Sequence, residues 1–196
     1  NTMSMKFFYL FFFLLWQLSF EVFASSQVNC MEQKLIKTFK PTYAKGFEVQ
    51  YYEDFKIIKN LFSKSAVIQA KKPLKCQTEL YQIKNEINRI VLTSTTYLPL
   101  LIELHEEKKL VGFQGKKYIS GKQFDLSKIT DLDYELSKEA LVGMKSDLVI
   151  GYDLNLKNPA REYHQLKIPL VLNDDYKEDH PMARLEWIIY NAAFFN

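Results

Sequence analysis

From Arg89 onward the chain repeats one pattern: a short apolar run, a helix-length segment, then another apolar run. The runs are Ile90-Val91-Leu92, Leu110-Val111-Gly112-Phe113, Leu148-Val149-Ile150-Gly151 and Ile168 to Leu172. None of them alternates with polar residues, so neither face of the strand it forms can meet water, and the strands must lie in a parallel sheet covered on both sides. The intervening segments supply the cover. Tyr97 to Glu107 sets Leu100, Leu101 and Leu104 on one side of a helix, Tyr134 to Met144 precedes the third run, and Pro159 to Leu166 precedes the fourth. With right-handed crossovers, residues 89–180 are expected to form a Rossmann-like α/β lobe with helices on both faces. Ligands of such sheets bind at the carboxyl ends of the strands. The loops at those ends are Thr93 to Tyr97, Gln114 to Gly121, Tyr152 to Asn158 and Asn173 to His180.

Residues 25–88 have a different texture. Phe47, Val49 and Tyr51 alternate with Glu48 and Gln50, Phe55, Ile57 and Ile58 follow an acidic break, and Ala66 to Ala70 follow the polar Ser63-Lys64-Ser65. Period-two alternation with polar breaks predicts short antiparallel strands, here a small antiparallel β hairpin region ahead of the lobe. At the other end, Pro181 opens a helix over 181–196. Its Leu185, Ile188, Ile189 and Ala192 form an apolar stripe, and Trp187, Tyr190, Ala193, Phe194 and Phe195 make the opposite face apolar too. A helix of this kind is expected to be buried on both sides.

The opening segment reads as an address. Met5-Lys6 is followed by an apolar run from Phe7 to Trp16, about half of the roughly 20 residues needed to span a bilayer, and Val22-Phe23-Ala24 suits a cleavage site. Residues 1–24 are therefore expected to be a cleaved signal peptide that delivers the protein to the periplasm. Export meets an oxidising compartment, so Cys30 and Cys76, the only two cysteines, are expected to be paired. The formal charge of +3 arises from 26 basic and 23 acidic residues scattered along the chain, which excludes the basic tract of a nucleic-acid binder. The 15 Phe and 12 Tyr suggest an aromatic-lined surface or pocket.

Four segments together carry a resemblance. They are Arg89 to Phe113, the run Asp147-Leu-Val-Ile-Gly-Tyr152, the stretch Glu178-Asp-His-Pro-Met-Ala-Arg-Leu-Glu-Trp187, and Tyr43-Ala-Lys-Gly-Phe47. The third is similar to a Pro-Leu-Gly-Arg-Ala-Glu-Trp signature, with Met182-Ala183 and Leu185 replacing the usual Leu-Gly and Ala. The chain resembles the amino-terminal lobe of periplasmic substrate-binding proteins of ABC transporters, in the iron-siderophore and vitamin B12 class (class III). The resemblance implies that 181–196 begins the helix joining two lobes, that the second lobe is missing, and that ligand sits between the lobes. It also implies a monomer that captures a ferric siderophore, or a related metal chelate, and delivers it to the ABC permease at the inner membrane. A corrinoid (cobalamin) or haem is the alternative ligand on the same fold. A carboxylate on each lobe of these proteins pairs with permease arginines, and Glu178 and Glu162 occupy suitable loops here.

The residues themselves point away from catalysis. The sequence has no Gly-x-Gly-x-x-Gly, phosphate loop, Gly-x-Ser-x-Gly or His-Glu-x-x-His, so no enzyme and no cofactor is expected, with a periplasmic hydrolase as the remaining enzymatic alternative. His180, the one histidine in these loops and the one candidate metal ligand, reads as a helix-start residue, which disfavours a bare metal site. For an anionic chelate, Lys117 and Tyr118 offer a charged donor beside a stacking ring. Thr95, Thr96 and Tyr97 in the first loop, Tyr152 in the third and Tyr176 in the fourth complete the expected binding set.

Overall fold

The structure, a computed structural model, describes residues 28–119, 126–132, 137–152 and 159–195. The leader expected over 1–24 lies outside them, as do most of the third loop and the first turn expected for the helix from Tyr134. Strands β1 (Lys37–Phe39), β2 (Phe47–Tyr51), β3 (Phe55–Asn60), β4 (Ser65–Ala70) and β5 (Tyr81–Ile83) form one sheet in sequential order. The first four pair antiparallel and β5 pairs parallel to β4. The region expected as a small hairpin is thus a five-stranded sheet. Its outer strands β1 and β5 escape periodicity because each is three residues long.

The second sheet is wholly parallel. Strands β6 (Ile90–Leu92), β7 (Leu110–Gln114), β8 (Thr130–Leu132), β9 (Leu148–Gly151) and β10 (Leu170–Leu172) lie in the order β10-β9-β6-β7-β8. The chain steps outward from β6 to β8, returns to the other side of β6, and continues to β10, which puts a reversal of strand order between β6 and β9. The crevice at such a reversal is where doubly wound sheets take ligands. Among the described residues four α-helices accompany the sheets: α1 (Leu98–Glu103), α2 (Lys138–Met144), α3 (Pro159–Gln165) and α4 (Pro181–Ala192).

The apolar runs are buried on both faces, as their lack of alternation requires. Val91, Val149, Leu170 and Leu172 pack with Leu141 of α2 and Tyr163 of α3. Ile90, Leu92, Leu148, Ile150 and Val171 pack on the other side with Leu98 and Leu101 of α1 and with Ala183, Trp187 and Tyr190 of α4. Phe47, Val49, Ile58, Val67 and Ile83 of the first sheet join that same cluster. The amino-terminal sheet is therefore a wall of the main core rather than an appendage. Its far face holds Tyr52, Phe55, Ile57, Ile68 and Ala70 against Cys30 and Cys76, which a disulfide joins with their Cα atoms 4.9 Å apart.

Two helices differ from expectation. The segment Tyr97 to Glu107 is helical only over Leu98–Glu103, because His105 adopts φ 58° and turns the chain out of the helix. In α4 the buried face is Ala183, Trp187, Tyr190 and Asn191, while Leu185 and Ile189 remain exposed. The aromatic face wins because Trp187 and Tyr190 meet Phe47 with ring centroids 5.2 and 5.6 Å apart, and large rings bury the most apolar area.

Asp147 locks the start of β9 to the strand connection beside it. Its carboxylate lies 2.5 Å from Lys84 Nζ and accepts the backbone N–H groups of Asn88 and Arg89 at 3.0 and 3.1 Å. Burial pushes this carboxyl up, but the Lys84 bond and the two amides outweigh it and hold the group below its ordinary value of 3.8. A depressed carboxyl stabilises the fold above its unfolded value, and that stabilisation is lost as pH falls through the lower folded value. Urea unfolding between pH 7 and pH 2 should show stability declining below about pH 4. Asp147→Asn should cost about 2 kcal/mol at pH 7 and flatten that decline.

Candidate functional site

The loops after β6 and β7, the end of β8 and Tyr152 after β9 line a cavity of about 320 Å³. Thr93, Ser94 and Thr95 line it from the first, Gly115, Lys117 and Tyr118 from the second, with Asp131 and Leu132 of β8 and Tyr152 after β9. Each loop has a local cause. Ser94 caps the turn at Thr95–Tyr97 by accepting the Thr96 N–H, and its hydroxyl bonds Thr96 Oγ1 at 2.9 Å. Gly115 takes φ 85°, a left-handed conformation that side-chain-bearing residues avoid, and so starts the turn Lys116–Tyr118. Lys116 then pins that turn to β8: its N–H donates to Asp131 Oδ1 at 3.3 Å and its ammonium to the Ile129 carbonyl at 2.9 Å. With Lys116 held, Lys117 is left beside the cavity, its Nζ 5.1 Å from the Tyr118 ring centroid, and Tyr118 is 70% exposed.

Thr95, Lys117, Tyr118 and Tyr152 therefore come together, from three of the four nominated loops. Thr96 is exposed next to them but outside the lining. Tyr97 does not line this cavity. It is buried in the main core, its hydroxyl donates to the Asn173 carbonyl at 2.9 Å, and burial, with Asp175 and Asp174 nearby, pushes its phenol up so that it stays a neutral donor. Tyr176 also stands outside the lining, half exposed beneath Lys177 Nζ. The fourth loop is a brace instead: Asn173 and Asp174 are fully buried, and Asn60 at the end of β3 donates to the Asp174 carboxylate and the Leu172 carbonyl, both at 2.9 Å. This ties the end of β3, the middle strand of the first sheet, to β10 at the edge of the second.

The expected docking carboxylate Glu178 is likewise internal. It is 3% exposed, and its carboxylate accepts the N–H groups of Lys45 and Gly46 and the indole N–H of Trp187 at 2.9, 2.8 and 3.1 Å. One turn into α4, Glu186 accepts the next three amides, those of Thr42, Tyr43 and Ala44, at 3.0, 2.7 and 2.7 Å. Burial pushes the Glu186 carboxyl up, yet these three donors hold it below the ordinary range. Two carboxylates thus bind five consecutive backbone N–H groups. Only glycine fits at 46, since a Cβ there would lie 2.3 Å from the Phe62 ring and 2.6 Å from Trp187. Both partners stood within segments singled out in the sequence, Tyr43 to Phe47 and Glu178 to Trp187, but nothing local links one to the other. Glu162 on α3 is exposed and paired with Lys138. His180 caps α4, its Nδ1 accepting the Met182 N–H.

The cavity can hold a ligand through one ammonium, two phenol rings and a set of hydroxyls, one of which, Thr93 Oγ1, is buried without a hydrogen-bond partner among the described residues. Among the described residues its lining holds no His or Cys, and Asp131 is its carboxylate. Among the described residues no group of three or more His, Cys, Asp or Glu side chains could hold a metal ion, and no helix is long and apolar enough to cross a membrane.

A doubly wound α/β domain with an open cavity at its strand carboxyl ends belongs, by architecture, to a class of fold that takes ligands there. No family model and no curated protein matches the chain. Among solved structures it is similar to a possible iron-binding (periplasmic solute-binding) protein from Staphylococcus epidermidis ATCC 12228, at 16% identity and a TM-score of 0.36, over 55% of this chain and 48% of that one. It is also similar to the heme binding protein HmuT, at 14% identity and a TM-score of 0.46, over 67% of this chain and 37% of that one. A periplasmic binding protein from Veillonella parvula dsm 2008 matches at 14% identity and a TM-score of 0.44, over 83% of this chain and 47% of that one. The chain spans less than half the length of each of these three proteins.

Proposed function

We propose that the chain is the periplasmic solute-binding component of an ABC importer, and that it captures an anionic metal chelate of the ferric siderophore type for delivery to a permease. The observation that carries this reading is the cavity where the strand order reverses, in which Lys117, Tyr118 and Tyr152 surround a floor of hydroxyls. An ammonium beside an exposed ring suits a bulky anion with flat aromatic or amide groups. In this reading residues 25–88 and 89–180 are the amino-terminal lobe, 181–196 leads to a second lobe that supplies the facing wall, and Glu162 is the carboxylate offered to the permease. Tyr97 and Glu178 hold the scaffold in place.

Titration with a ferric catecholate, a ferric hydroxamate, haem and cobalamin, followed by Tyr and Trp fluorescence, tests the reading. One of the ferric siderophores should bind best, and Lys117→Ala with Tyr118→Ala should weaken it about tenfold or more. A preference for haem or cobalamin overturns the siderophore assignment. Binding unchanged in the double variant overturns the site.

A further inference from the structure

A second cavity, of about 260 Å³, shares no lining residue with the first. It lies at the turn from β2 into β3 and is bounded by Tyr52, Phe55, Lys56, Gln69 and Lys71. Lys56 on β3 stands opposite Gln69 on β4 in the sheet register, so the two side chains are neighbours on one face. Two residues along each strand, Ile58 and Val67 occupy the same face and enter the main core. Lys56 and Gln69 stand at the end of that row. Among the described residues neither the Lys56 nor the Lys71 ammonium forms an ion pair or hydrogen bond, whereas Lys59 on the same strand pairs with Glu48 at 3.1 Å. Burial, with Lys71 adding repulsion, pushes the Lys56 ammonium down.

Gln69 is 2% exposed, and its amide orientation is set by backbone carbonyls. Its Nε2 donates to the carbonyls of Lys84, Asn85 and Phe194 at 2.7, 3.4 and 3.1 Å. With the nitrogen held by three carbonyls, the oxygen cannot exchange places with it, and Oε1 is left buried with no donor among the described residues. A locked, unsatisfied acceptor is unusual in a folded interior. Beside two unpaired ammoniums, it asks for a ligand that carries a negative charge and, one bond away, an O–H or N–H donor. The volume falls below the roughly 300 to 1,000 Å³ of drug-sized sites, so the ligand is small. The exposed carboxylates of Glu53 and Asp54 at the rim oppose multiply charged anions.

We infer that this cavity is a second binding site, for a small monocarboxylate bearing a hydroxyl or amino group on the adjacent carbon. The carboxylate sits on Lys56 and Lys71, and the donor meets Gln69 Oε1.

Calorimetric titration of the full chain with glycolate, glycine and acetate tests this. Glycolate or glycine should bind about fivefold or more tighter than acetate, which lacks the donor, and whichever of the two binds better identifies a hydroxy acid or an amino acid. Lys56→Met keeps the length of the side chain without its charge and should weaken binding about tenfold. In the unaltered protein, lysine side-chain NMR should show the Lys56 ammonium titrating at higher pH once ligand is bound, a readout that needs no folded variant. Equal affinity for acetate, undiminished binding by Lys56→Met, or no binding of any of the three below about 10 mM overturns the inference.

Discussion

Glu178→Ala is expected to lower the unfolding free energy by about 4 kcal/mol. The carboxylate is buried and accepts from Lys45 N–H, Gly46 N–H and Trp187 Nε1–H. Truncation leaves three donors without an acceptor in a space closed to water. Each unsatisfied donor costs about 1 to 3 kcal/mol, and the penalties of neighbours sharing one partner do not add fully. Glu178→Gln keeps one accepting oxygen but turns an NH₂ toward other donors, and should cost about 2 kcal/mol. Glu186→Ala, whose partners lie nearer the surface, should cost about 1 kcal/mol. Urea unfolding monitored by Trp187, the one tryptophan outside residues 1–24, checks all three variants. A loss below 1 kcal/mol for Glu178→Ala would show that the carboxylate does not hold the 42–46 segment.

Removing the disulfide should have an effect of similar size by a different route. Cys30 and Cys76 are separated by 46 positions, and in the chain-entropy model closing a loop of that length stabilises by about 4 kcal/mol. Both residues are buried in the cluster under the outer face of the first sheet, so Cys30→Ala with Cys76→Ala also forfeits some packing there. The bridge additionally holds the short pairing of Asn29 with Gln77, where Cys30 N–H donates to the Gln77 carbonyl at 2.8 Å. The double variant, and the unaltered protein under reducing conditions, should both unfold at lower urea concentration with a smaller difference between them than either shows from the oxidised protein. Equal midpoints with and without reductant would mean that the bridge adds nothing to the folded state.

Strands β6, β7, β9 and β10 were legible because a strand buried on both faces must be apolar throughout, and few other structures demand that of so short a run. Strand β8 was not. Thr130-Asp131-Leu132 lies at the sheet edge with two of its three residues exposed, so its pattern is that of any polar loop. Helix α4 shows the opposite difficulty. Leu185, Ile188 and Ile189 satisfy helical spacing as well as Ala183, Trp187 and Tyr190 do, and periodicity alone cannot rank two apolar faces of one helix. The rings of Phe47 and Phe62, supplied by a distant part of the chain, settle which face turns inward.

The nominated loops were legible for a related reason: once the strands are parallel, their carboxyl ends share one edge, and loops at that edge must converge. That placed Thr95, Lys117, Tyr118 and Tyr152 around one cavity from local pattern alone. The inward turn of Tyr97, the burial of Asp174 and the capture of five amides by Glu178 and Glu186 had no such signal. A carboxylate or phenol in a polar loop has the same one-letter signature whether it faces water or a buried donor. The difference lies in partners such as Gly46, which reaches Glu178 across 132 positions of sequence. Alternation and apolar runs are local quantities, so strand direction and the edge that bears the loops follow from the chain read in order. The satisfaction of a buried polar group is a pairwise quantity between remote segments, and it exists only once the two sheets have closed on a common core.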